Sequence, residues 1–211
     1  LVIDVMCMWS RVMRVVFVVL AAVLLGACAV PSDQSASTRP STTVTGTAEA
    51  AVTSTTTAAR SLERSEPTEL RIPHIGTRSS LIPLGLNKDG TVEVPPVERP
   101  MQAGWYSLGS TPGEVGPAVV LGHVDGYRNP GIFYRLHELV PGDDVEISRA
   151  DGSVVRFVVR KVDQVAKAQF PTEAVYGQTP DSELRLITCG GRFNQAAHSY
   201  MDNIVVYATL I

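Results

Sequence analysis

The stretch Glu183-Leu184-Arg185-Leu186-Ile187-Thr188-Cys189-Gly190-Gly191 alternates two sets of side chains and then meets two glycines. Alternation with a period of two predicts a half-buried β-strand, and paired glycines predict that it runs into a turn. Cys189 then stands at a strand end, open to substrate, beside a backbone that a ligand can approach closely. A solitary cysteine is more often a small buried hydrophobe than a nucleophile. Its position ahead of a glycine pair reverses that weighting.

Upstream, the chain reads as further short strands. Pro117-Ala118-Val119-Val120-Leu121-Gly122-His123 is a continuous apolar run of strand length, the pattern of a strand buried on both faces. Val145-Glu146-Ile147-Ser148-Arg149 and Val154-Val155-Arg156-Phe157-Val158-Val159 alternate and are joined by Ala150-Asp151-Gly152-Ser153, a hairpin signal. Strands are also predicted at 70–75, 80–86, 91–94, 162–166 and 204–208. Closely spaced strands with turn residues between them and no long 3.6-residue period indicate an all-β barrel or sandwich. Some 140 residues is a usual size for one domain.

The 211 residues carry 18 Lys and Arg against 21 Asp and Glu, a net charge of −3. Nucleic-acid binding wants a basic patch, so it is excluded as a partner class. The three cysteines are Cys7, Cys28 and Cys189. Two of them fall in or beside an export segment, which argues against a disulfide framework.

Arg11 and Arg14 precede the apolar run from Val15 to Leu25, the plan of a signal peptide, with Met6, Met8 or Met13 as the true start. Leu25-Gly26-Ala27-Cys28 resembles a bacterial lipobox, in which Cys28 is lipidated and becomes the new N-terminus; ordinary secretory cleavage is the alternative. Several acyl chains make such an anchor stable. Residues 29–66 are rich in Ser, Thr and Ala and bury too little apolar surface to offset ordering, so they read as a disordered tether. Its mean reach is about 35 Å. The expected organisation is a signal peptide with lipobox at 1–28, a linker at 29–66 and a folded domain at 67–211. This places the protein on the outer face of the cytoplasmic membrane.

A nucleophilic thiol needs a base, or a cation to stabilise its thiolate. Histidine fills either role near neutral pH. Of the four histidines, His74, His123, His137 and His198, His123 ends a buried strand as Cys189 ends its own, and is favoured over His198 in the loop after the cysteine. No His, Cys or carboxylate pair has a recognisable zinc spacing and no carboxylate cluster suits calcium, so no metal or cofactor is expected.

Leu186-Ile187-Thr188-Cys189 with Gly122-His123-Val124-Asp125 upstream resembles the sortase family over residues 70–211. Leu-Arg-Leu-Ile-Thr-Cys-Gly-Gly, Ala103-Gly104-Trp105-Tyr106 and Asp202-Asn203-Ile204-Val205-Val206 are similar to class F sortases of actinobacteria. The resemblance implies an eight-stranded β-barrel with short helices and loops. It implies a cysteine transpeptidase that cleaves a sorting signal of Leu-Pro-X-Thr-Gly type in a secreted partner through a thioacyl intermediate. The acyl group then passes to an amine, usually from a cell-wall precursor. Cys189 is the implied nucleophile and His123 the implied acid and base.

The family also uses an arginine ahead of its last strand. Here Met201, Asp202 and Asn203 occupy that region. Arg185, two pleats before Cys189 on the same face and about 13 Å away, is one candidate substitute; Arg192 in the following loop is another. Asn203 is a candidate to hydrogen-bond the substrate carbonyl. The alternative function is a catalytically weak sortase-like binding module of the envelope. An L,D-transpeptidase is disfavoured because its Ser-His-Gly-Cys signature is absent.

Overall fold

The structure, a computed structural model, describes residues 61–211. The expected signal segment, the lipobox with Cys28 and the tether up to residue 60 lie outside the described residues. Eight strands close into a barrel: β1 (Pro67–Ile72), β2 (Thr77–Leu84), β3 (Ala103–Tyr106), β4 (Gly116–Gly122), β7 (Asp144–Arg149), β8 (Val154–Ala166), β9 (Ser182–Asn194) and β10 (Ser199–Leu210). Their order around the wall is β1-β2-β3-β4-β9-β10-β8-β7. Strands β5 (Asp125–Gly126) and β6 (Asn129–Pro130) form a separate small hairpin. The only described α-helix is α1 (Thr172–Tyr176), a single turn. The all-β, eight-stranded barrel expected from the sequence is the architecture observed.

Pairing is antiparallel except for β2 with β3 and β4 with β9. The parallel β4–β9 pair sits between two apolar layers, and all seven residues of β4 are buried. One layer fills the barrel, with Val120, Phe157, Leu184, Leu186 and Val206 among its members. The other covers the outside of β4, β9 and β10, where Val119, Leu121, Ile187, Val205 and Tyr207 pack against Leu84, Val92 and Val175. A fully buried aliphatic side chain stabilises by about 1.5–3 kcal/mol. Covering the wall on both sides therefore makes it a stiff platform, and alternation along β9 sends Leu186 inward and Ile187 outward.

Three local expectations are corrected. Gly190 and Gly191 make no turn: β9 continues to Asn194. Between the pairs Asp202↔Gly190 and Tyr200↔Phe193, β9 carries one residue more than β10, so the glycines mark a bulge. Gly191 has φ +72°, and a Cβ there would stand 2.1 Å from the Asp202 carboxylate. The strands expected at 154–159 and 162–166 are one continuous strand, β8, with a register shift opposite Tyr207 and Ala208. Residues 91–94 form no full strand, only a bridge from Val92 to Leu86.

The chain also reaches the barrel before the boundary expected at 67. Leu62 N–H donates to the Gly113 carbonyl (2.8 Å), Ala150 N–H donates to the Glu66 carbonyl (2.8 Å), and the buried Arg149 guanidinium donates to the Glu63 carbonyl.

Candidate active site

The register of the wall lines up one row of polar side chains on its outer face. Leu121 of β4 is opposite Ile187 of β9, so His123, two residues on, comes alongside Cys189. On the other side of Cys189 its β10 partner is Asn203, whose β8 partner is Val165. His123, Cys189 and Asn203 thus stand in consecutive columns of the sheet. His123 and Cys189 line a shared crevice of about 10 Å³ with Val94, Pro95, Leu121, Gly122 and Ile187. That is room for about one water.

His123 is buried, and its Nε2–H donates to the Pro95 carbonyl at 2.6 Å. A carbonyl only accepts, so this bond holds the proton on Nε2 and leaves Nδ1 as the nitrogen that exchanges a proton. The backbone is fixed as firmly: Phe133 N–H donates to the His123 carbonyl (3.0 Å) and Gly131 N–H to that of Val124 (2.8 Å). A Cβ on Gly131 would stand 2.3 Å from the His123 carbonyl oxygen, so only glycine allows this approach. Burial pushes the imidazole below its ordinary value of 6.5, against the opposing pull of the Pro95 carbonyl and the Asp125 and Glu98 carboxylates.

Cys189 is only 2% exposed, not open as a strand end would be. It lies within the strand, and Leu121, Pro95 and His123 line the crevice beside it. Burial pushes the thiol up to about 11. The charge and hydrogen bond of Lys167 pull in the opposite direction, and the Asp125 carboxylate adds to the rise. Lys167 opens a single 3-10 turn, Lys167–Gln169, directly after β8, and Nζ also donates to Ser199 Oγ at 2.8 Å. Tyr200 donates its hydroxyl to Asp125, and burial together with that bond raises the phenol. Beside this group opens a cleft of about 740 Å³, lined by Asp125, Tyr127, Phe193, His198 and Tyr200 among others. One wall is the β5–β6 hairpin, where Tyr127 (φ 49°) and Arg128 (φ 64°) occupy the left-handed region as an I′ turn demands. Each such non-glycine residue costs about 1–3 kcal/mol.

Asn203 is fully buried, and neither its Nδ2 nor its Oδ1 has a hydrogen-bond partner among the described residues. Unpaired buried polar atoms are rare, because each costs about 1–3 kcal/mol. Arg185 shares the face of Cys189, as alternation predicts, but its guanidinium is engaged elsewhere. It pairs with Glu183 (2.5 Å), donates to the Ala174 carbonyl of α1 (3.3 Å) and stacks 4.6 Å from the Tyr207 ring centroid. It pins α1 to the wall, two pleats from the thiol. Arg192 and His198 are exposed, past the bulge. Arg185→Met is therefore expected to destabilise the fold by about 2–4 kcal/mol in urea unfolding, because Glu183 and the Ala174 carbonyl lose their partner. Activity per folded molecule should be unchanged. Lost activity at unchanged stability would return Arg185 to the site.

Lys167, Asp125 and Tyr200 belong to this constellation although the sequence reading did not single them out as functional. Asp125 had a signal, two residues past His123. Lys167 had none nearby.

The model of the Sortase domain family matches residues 70–211. The chain belongs to the sortase family. Among solved structures, the sortase fold is shared with sortase C-1 of Actinomyces oris at 19% identity and a TM-score of 0.52, over 68% of this chain and 72% of that one. A lid mutant of sortase A from Corynebacterium diphtheriae aligns at 19% identity and a TM-score of 0.53, over 71% and 72% of the two chains. The Clostridium perfringens sortase D5 transpeptidase aligns at 19% identity and 0.51, over 70% and 79%. No curated protein sequence matches.

Proposed function

We propose that this sortase-family chain is a cell-envelope cysteine transpeptidase of class F type. It cleaves a sorting signal resembling Leu-Pro-X-Thr-Gly in a secreted protein and passes the acyl group to an amine of a cell-wall precursor. The observation that carries the reading is the row His123–Cys189–Asn203 across β4, β9 and β10. Cys189 Sγ, as thiolate, attacks the threonine carbonyl carbon, and the C=O electron pair moves onto oxygen. Asn203 Nδ2–H, otherwise unpaired, donates to that oxygen. As the tetrahedral species collapses, the C–N bond breaks and the amine leaves with the proton from His123 Nδ1, giving the thioacyl enzyme. The incoming amine gives a proton to Nδ1 as it attacks, and the thiolate departs.

The test is incubation of the full chain with a panel of such peptides and hydroxylamine. A threonyl hydroxamate is expected. Peptide binding without any hydroxamate would instead favour an envelope binding module, a reading that the high thiol pKa and the absence of an arginine from the row also support. We further propose lipid attachment at Cys28 on the outer face of the membrane. Palmitate incorporation that persists in Cys28→Ala would count against it.

A further inference from the structure

The thiol at the centre of the row is buried, and burial favours its neutral form. Attack needs the thiolate, so something at the site must offset the desolvation. His123 does so only when protonated, and its own burial opposes that. The charged or titratable groups that face the sulfur, besides His123, are Lys167 from the turn after β8, Asp125 from β5 and Tyr200 from β10. Asp125 works against the thiolate, and Tyr200 is an acid held neutral. Lys167 is the one lysine or arginine among them.

Its placement follows from the ladder. Val165 is the β8 partner of Asn203, and Asn203 is the β10 partner of Cys189. Lys167 lies two residues beyond Val165, where β8 ends beside the first residues of β10, so its side chain can reach across them. Ser199 accepts a hydrogen bond from Nζ at 2.8 Å, and the ammonium so held is near enough to Cys189 to pull its thiol down by charge and hydrogen bonding. The side chain is half-buried, so solvent screens this contact less than a surface pair.

We propose that Lys167 is a catalytic residue of this site, its ammonium held by Ser199 against Cys189 Sγ to stabilise the thiolate. For catalysis this rests on the transpeptidase reading; the charge contact itself does not. The ammonium keeps its three protons throughout. The thiol proton goes to His123 Nδ1 and from there to the leaving amine, while Lys167 supplies the positive charge that Arg185, bound to Glu183 and α1, does not.

The experiment is alkylation of Cys189 by iodoacetamide in the full chain between pH 6 and 11. It is read by mass spectrometry on the peptide that contains Cys189, so that Cys7 and Cys28 do not interfere. Melting temperature serves as the check of folding. Removing a cation this close should lower the thiolate fraction, and with it the alkylation rate near pH 8, by about tenfold in Lys167→Met. Lys167→Arg should keep most of the wild-type profile, because charge rather than packing is at issue. Should the Met variant not fold, Lys167→Gln keeps a polar hydrogen-bonding terminus without the charge and should show the same loss. A Met or Gln profile that overlays the wild type overturns the proposal, and so does an Arg profile displaced as far as theirs. Alkylation needs no peptide, so a wild type that forms no hydroxamate would tell against the transpeptidase reading and leave this contact to be judged by its own result.

Discussion

Cys189→Ala should form no hydroxamate above the uncatalysed background, a loss of at least about 10³-fold. The size follows from the absence of a substitute nucleophile. Among the described residues Cys189 is the only cysteine, and the nearest hydroxyl on its strand, Thr188, projects to the opposite face. Removing the attacking atom removes the covalent pathway, leaving only binding and the Asn203 amide. Stability should fall little, since one sulfur leaves a small gap. Cys189→Ser tests the same point with the shape nearly kept: a buried alcohol is a much poorer anion than a thiol. Hydroxamate formation by the folded Ala variant at a rate near wild type would refute thioacyl chemistry for this chain.

His123→Ala should lower kcat/KM by about 10²–10⁴-fold, the usual range for a positioned acid–base group. Its pH profile should also change shape. In the wild type the thiol is pushed up to about 11 and the imidazole is pushed below 6.5, so the thiolate–imidazolium pair is the minority form. That pair binds as many protons as the dominant thiol–imidazole form, so kcat/KM should be level between the two values. It should fall on the acid side as His123 takes a second proton, below pH 6.5, and on the alkaline side as Cys189 ionises, toward pH 11. Without His123 only the thiolate fraction matters, and the residual rate should climb with pH across the whole neutral range. A wild-type profile that declines between pH 7 and 9, or a variant whose profile stays level, would contradict these assignments. The same shift bears on stability. A histidine held neutral in the fold binds fewer protons than in the unfolded chain, so its contribution is present above pH 6.5 and is lost as pH falls.

The strands that bring His123 and Cys189 side by side were legible because their information is local. A buried apolar run that ends in histidine and an alternating strand that carries cysteine are both written within ten residues. The barrel was legible for the same reason, since alternation and turn chemistry act over short distances. The local reading failed where one signal has two structural meanings. Gly190 and Gly191 read as a turn because paired glycines most often make one, but a bulge demands the same left-handed residue, and the cysteine was therefore expected at an exposed strand end. Arg185 shows the next limit: the period of two gave its face correctly and could not give its neighbours, because Ala174 and Tyr207 arrive from elsewhere in the chain. Lys167 lies beyond reach of any window. It reaches Cys189 only because β8 pairs with β10 and β10 with β9, a fact of register across three strands.

The burial of Cys189 has a consequence for the working life of the molecule. A thiol on the outer face of a membrane, where the proposed anchor would hold it, meets peroxide and disulfides with no glutathione pool to repair it. Oxidation to sulfenic acid begins from the thiolate and needs access. A sulfur that is almost wholly buried and kept protonated presents neither to a passing oxidant. The arrangement that makes the attacking form scarce at rest also makes the resting protein durable.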